Sequence, residues 1–170
     1  MNRHFDLLTI GAGSGGVAIS NRAAIHGAKC ALIEAGRIGG TCVNVGCVPK
    51  KIMWNAAMLS HALDDAPDYG FSIPAHAFDW NILRLQRDQH VLALNGHYER
   101  HLAKNGVEIV RGTASFVGPK SVKVGAEVFT AEHIVIAVGG RPIIPRLPGA
   151  GYGITSDGFF ELLVERLGRL

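Results

Sequence analysis

A chain of 170 residues, 48% hydrophobic and 18% charged, has the size and mix of one globular domain able to bury a core. A net charge of +3, with no Lys/Arg run of five or more, leaves no footprint for nucleic acid. No apolar stretch reaches the roughly 18 residues of a membrane span, and the start Met1-Asn2-Arg3-His4 lacks a secretory layout, so a cytoplasmic protein off the membrane is expected.

Phe5 to Ile10 reads as a short apolar strand. Gly11-Ala12-Gly13-Ser14-Gly15-Gly16 turns it, and Gly15 to His26 reads as a helix ending near Gly27. Cys30 to Ile33 is the second strand, closed by Glu34. This strand–turn–helix–strand context makes the glycine pattern a dinucleotide-binding fingerprint. Gly11 serves the tight turn, Gly13 the approach of a pyrophosphate, and Gly16 close helix–strand packing. The phosphates are expected on N–H groups at the helix N-terminus. Glu34 stands where a carboxylate accepts from a ribose diol, its other reading being a solvated loop acid.

Next comes Gly39-Gly40-Thr41-Cys42, then Cys47, Pro49, Lys50 and Lys51. A regular helix separates positions five apart by about 7.5 Å along its axis, and a disulfide wants Cα atoms within roughly 4.4–6.8 Å. Joining Cys42 to Cys47 therefore needs a distorted turn, which Gly46 is placed to permit. A strained, accessible bridge is readily reduced. Two buried thiols and a zinc pair are the other readings. Zinc is disfavoured because no second Cys/His pair stands at ribbon or finger spacing, and no metal is expected. A phosphate-cradling loop ahead of a close cysteine pair points to electrons passing between a bound flavin and a disulfide. Cys30, within a strand, reads as a buried apolar thiol.

Cys42 to His61 is expected to be mostly helix, and Asp64 to Phe78 irregular. Asp79 caps a long helix to about Asn105, with Leu83, Leu85, Val91, Leu94 and Leu102 among its apolar positions. His97 and His101, four apart, read as solvated helix histidines rather than metal ligands. Val107–Val110, Ala114–Val117, Ser121–Val124 and Glu127–Thr130 are expected to form a small antiparallel meander. His133 to Val138 reads as a buried parallel strand before the prolines at 142, 145 and 148.

With these motifs the chain resembles the flavin-dependent pyridine nucleotide–disulfide oxidoreductases, from Phe5 to about Phe160. Ser14 within the fingerprint and the run Cys42-Val43-Asn44-Val45-Gly46-Cys47-Val48-Pro49-Lys50-Lys51 are similar to the glutathione and trypanothione branches, and Met53-Trp54 and Ser156-Asp157-Gly158-Phe159-Phe160 to the glutathione-reducing one. Val138 departs from the family's usual threonine. The resemblance implies an α/β fold: a Rossmann-like FAD-binding domain over 1–160, with a parallel sheet, helices and a meander, followed by a divergent tail over 161–170. It implies FAD as cofactor, NADPH as donor, oxidised glutathione as substrate and a homodimer. The family's NADPH and dimerisation domains are expected to be absent from this chain, leaving the FAD domain incomplete.

The same resemblance gives the residues roles. Cys42 is the thiol that attacks the substrate disulfide, Cys47 faces the flavin ring, and Lys50 tunes that ring. Gly11, Gly13, Ser14, Gly15, Gly16, Glu34, Thr41, Cys42, Lys50 and Ala114 hold FAD, Ala114 by its backbone at the adenine end. Ser14 and Tyr98 meet glutathione. Two alternatives stand beside this reading. One is a free-standing FAD-binding thiol-exchange module served by a partner chain. The other is a reductase of a different disulfide, such as trypanothione.

Overall fold

The computed structural model describes residues 3–75 and 77–162; the tail expected beyond 160 lies mostly outside these residues. The chain divides into two compact units. One comprises residues up to Asn44 together with Ala93–Arg141, the other Val45–Leu92 and residues from Pro142 onward.

The first unit is built on one six-stranded sheet. Its strands are β1 (Arg3–Ile10), β2 (Cys30–Glu34), β3 (Glu108–Arg111), β4 (Ala114–Gly118), β5 (Ser121–Val124) and β6 (Glu127–Ile136). They lie in the order β3-β2-β1-β6-β5-β4. Helix α1 (Ser14–Ile25) crosses from β1 to β2, which pair in parallel, Leu7 opposite Cys30. Leu8, Leu32, Ala31 and Ile33 are essentially buried, as strands covered on both faces must be. Cys30 is 1% exposed, and burial, helped by Asp6, pushes its thiol up, so it stays protonated and inert at neutral pH.

The expected meander is corrected in two places. The Val107–Val110 segment does not join it. As β3 it pairs in parallel with β2, Leu32 opposite Ile109, because the long helix before it returns the chain to that edge. The two expected strands Glu127–Thr130 and His133–Val138 are one strand, β6. Its residues 127–130 pair antiparallel with β5 and its residues 129–136 parallel with β1. A single strand thus joins the antiparallel hairpin to the parallel half. The end of this segment is not buried: Ile136 is 65% and Val138 66% exposed.

The helix expected over Cys42–His61 is two helices. α2 (Gly40–Val45) belongs to the first unit, and α3 (Cys47–Asp65) to the second, with the break at Gly46. The backbone there has φ −155°, outside the left-handed region, so the break is not a left-handed glycine turn. A short 3-10 turn, Ala66–Tyr69, occupies part of the stretch expected to be irregular. The long helix α4 (Trp80–Lys104) begins where Asp79 was expected to cap it: Asp79 Oδ1 accepts from Asn81 N at 2.8 Å. Residues 80–92 of α4 belong to the second unit and 93–104 to the first.

The inward stripe of α4 departs from its apolar pattern. Leu85 is 48% exposed, whereas Arg87 is 2% and Asn95 9% exposed. Positions 87, 91, 95 and 102 follow the three-to-four residue spacing of one helical face. Two polar residues fall on that face and are accommodated by hydrogen bonds. Within the second unit, Arg87 donates to Asp88 Oδ1 through Nε and Nη2, at 2.9 and 2.8 Å, and through Nη2 to Phe160 O at 3.0 Å. Phe160 closes the short helix α5 (Ser156–Phe160), whose cap Thr155 accepts from Gly158 N. No described helix is long and apolar enough to cross a membrane.

Candidate functional site

Where β1 ends, Gly11 N donates to Ile33 O at 2.8 Å and Ala137 N to Ile10 O at 2.7 Å, so three strand ends converge. Gly16 then allows α1 to lie on the turn: a Cβ there would stand 1.8 Å from Gly11 O. Beneath it, buried Ser20 donates to buried Thr9 Oγ1 at 2.9 Å, tying the helix to β1. The expected packing role of Gly16 is thereby visible in the geometry.

The segment leaving β2 folds back onto this turn. Gly39 N donates to Ala12 O at 2.8 Å, and Gly40, at φ +60°, approaches so closely that a Cβ would meet Gly13 Cα at 2.6 Å. Glu34 stitches the corner. Its Oε2 accepts from Ala12 N at 2.6 Å and its Oε1 from Gly36 N at 2.7 Å. Both carboxylate oxygens therefore shape the loop, a task beyond the expected ribose contact, and each keeps a further lone pair.

These pieces enclose a cavity of about 570 Å³. Gly11, Gly13, Ser14 and Gly15 line it from the fingerprint, Glu34 from the end of β2, and Thr41 and Cys42 from α2; residues 137–140 complete it. Gly13 and Gly15 differ from Gly16 in what surrounds them. An added Cβ at Gly15 meets nothing within 4 Å, and one at Gly13 only Gly40 Cα at 3.8 Å. The chain's own packing does not demand glycine at either position. α1 moreover opens without a side-chain cap and with no acidic residue in its first turn, which leaves N–H groups for a ligand.

Cys42 is half-buried on α2, and Cys47 is exposed at the start of α3 in the other unit. There Pro49 is buried and Lys50 exposed, with Lys50 N bonded to Gly46 O at 2.9 Å. Ala114 does not line the cavity. It sits half-buried on β4 against the Phe5–Phe129 core, two residues after Gly112, whose N donates to Glu34 O at 3.0 Å. Tyr98 and Ser14 line a second cavity, between α1 and α4. The His97 and His101 rings are stacked at 6.3 Å, and no group of three potential metal ligands occurs among the described residues.

The residue that sequence reasoning missed is Asn95. Its Nδ2 donates to Ile38 O at 2.7 Å and to Asn44 Oδ1 at 3.0 Å. Asn44 Nδ2 in turn donates to Gly40 O at 2.9 Å and Ile38 O at 3.2 Å. This pair of amides holds the segment that carries Thr41 and Cys42. The available signal was position 95 itself, four residues after buried Val91 and eight after buried Arg87 on one helical face. Asn95→Ala is expected to cost about 1–3 kcal/mol, the penalty for acceptors left in a buried site. It should also speed hydrogen exchange of amides 40–45. Unchanged thermal stability and exchange would show that α2 is held by other means.

A mixed sheet with a glycine-built turn at the ends of its parallel strands, and a cysteine-bearing helix against that turn, is the architecture of an α/β dinucleotide-binding domain. The chain belongs to the pyridine nucleotide–disulphide oxidoreductase family, which it matches over residues 5–164. It is 54% identical over 171 aligned positions to a glutathione reductase of Schizosaccharomyces pombe, covering 95% of this chain and 37% of that protein. It is 50% identical over 173 positions to a glutathione reductase of Yarrowia lipolytica, covering 94% and 37%. The chain thus spans a little over a third of the length of these relatives.

Proposed function

We propose that this chain carries the FAD-binding and dithiol portion of a glutathione-disulfide reductase, working in the cytoplasm as a homodimer with NADPH as donor. The observation that carries the reading is the single cavity shared by Cys42 and the uncapped, glycine-built start of α1. The residues present fit FAD: Gly13 and Gly15 leave room for a pyrophosphate, and the first N–H groups of α1 supply its donors. Glu34 keeps lone pairs that would serve the ribose, Thr41 would meet the cofactor from α2, and the backbone near Ala114 would receive the adenine end. Lys50, by the family resemblance, would favour negative charge on the ring system. Bound FAD supplies the two electrons, received from NADPH, that return the cysteine pair from disulfide to dithiol.

The chain's own chemistry is thiol–disulfide exchange. The Cys42 thiolate attacks one sulfur of oxidised glutathione. The substrate S–S bond breaks, one glutathione thiolate leaves and takes a proton, and Cys42 is joined to the other half. The Cys47 thiolate then attacks the Cys42 sulfur, the second glutathione leaves, and a Cys42–Cys47 disulfide remains. Ser14 and Tyr98 hold the tripeptide while this happens.

The test is to trap the mixed disulfide. Reduced Cys47→Ser protein treated with oxidised glutathione should gain one glutathione, on Cys42. Wild type should gain none and close its own disulfide, with Cys42 and Cys47 both protected from alkylation. Cys30, buried and protonated, should not react. An adduct confined to Cys30, or none on Cys42, would remove the assignment.

A further inference from the structure

Glu34 is the one carboxylate lining the first cavity among the described residues, and what fixes its direction lies on the neighbouring strand. β2 and β3 pair in parallel, with Arg111 at the end of β3 opposite Glu34 at the end of β2. Gly112 N donates to Glu34 O at 3.0 Å, which pins the backbone of Glu34 from that strand. Arg111 Nη1 donates to Gly36 O at 2.9 Å, and its Nη2 donates to Glu99 on α4. All of these residues belong to the first unit.

Gly36 is thus held at both of its backbone polar groups. Its O accepts from Arg111, while its N donates to Glu34 Oε1 at 2.7 Å. Glycine has the widest backbone freedom of any residue, so an unheld Gly36 lets that N–H turn away. Glu34 then keeps only the contact of its Oε2 with Ala12 N. Rotation about the last bond of a glutamate is soft, and one hydrogen bond restricts it less than two do. A carboxylate that must be ordered when a ligand arrives binds that ligand less tightly.

We infer that Arg111 is a positioning residue for the cofactor's ribose. Through Gly36 it holds the Glu34 carboxylate in the direction from which it accepts from the ribose diol. The inference rests on the FAD reading above and deepens it. Arg111 does not itself line the cavity and acts through Glu34. Its side chain is 48% exposed, so the effect is a modest one and the fold does not depend on it.

The test is titration of the flavin-free chain with FAD, and with an FAD analogue lacking both hydroxyls of the adenosine ribose, followed by the change in flavin fluorescence. Wild type should bind FAD at least about tenfold more tightly than the analogue, as expected for hydrogen bonds to a charged group. Arg111→Met should weaken FAD about three- to tenfold, the weight of one net hydrogen bond, and bind the analogue as wild type does. Arg111→Lys should recover part of that loss. Glu99→Gln, which keeps the Gly36 contact, should match wild type with both ligands. Without any ligand, the Gly36 amide should exchange hydrogen faster in Arg111→Met than in wild type. Equal weakening of FAD and analogue by Arg111→Met, or an unchanged FAD affinity, would overturn the inference while leaving the cofactor reading standing. Equal binding of the two ligands by wild type would remove the ribose role of Glu34 and the inference with it. Absence of FAD binding by wild type would overturn the cofactor reading itself.

Discussion

Gly15→Ala is expected to cost the chain its FAD while leaving the fold intact, and slightly firmer. An ideal Cβ at Gly15 meets no protein atom within 4 Å. Alanine is also preferred over glycine in a helix by up to about 1 kcal/mol, which corresponds to a rise of a few degrees in Tm for about 170 residues. The same methyl projects from a residue lining the phosphate cavity, where backbone must approach a pyrophosphate closely. Flavin retained after gel filtration, read from its visible absorption, should fall at least about tenfold (about 1.4 kcal/mol). Gly13→Val should act in the same direction with a larger side chain, whereas Cys42→Ser should retain flavin. Full flavin content in both glycine variants would move the cofactor away from this turn.

Gly16→Ala is expected to do the opposite and break the fold itself. Its Cβ would stand 1.8 Å from Gly11 O and 3.3 Å from Thr9 Cγ2. The first obstacle is backbone, so no side chain can rotate to make room. α1 must lift from β1, which undoes the buried Ser20–Thr9 hydrogen bond and exposes Val17, 6% exposed in the native chain. Overpacking of this kind typically costs about 1–3 kcal/mol, and occasionally more, a sizeable share of the roughly 5–15 kcal/mol typical of a domain. Denaturant unfolding measures it directly. A loss under about 1 kcal/mol would mean that the turn relaxes at little cost, and that Gly16 serves something other than helix–strand packing.

Gly15 and Gly16 are adjacent, and both belong to one recognisable pattern. The sequence alone determined that pattern, because a turn that brings a helix start to a strand end needs glycine at positions 11 and 16. It likewise determined β1, α1 and β2, the burial of Cys30, the long helix beginning after Asp79, and the family, since these rest on local periodicity and short-range motifs. Tertiary structure decided what depends on partners distant in sequence. It placed the 108–111 segment beside β2 rather than in the hairpin, and it fused two expected strands into β6, which pairs in opposite senses with β5 and β1. It also turned Arg87 and Asn95 inward, against the apolar pattern of α4, because acceptors at Phe160 and at Ile38 and Asn44 lie within reach. A polar side chain on a helix face carries no local sign of where its partner will be. The anchoring of the Cys42 segment by Asn95, and the hold of Arg111 on Gly36, therefore became legible only once residues more than fifty positions apart in sequence were brought into contact.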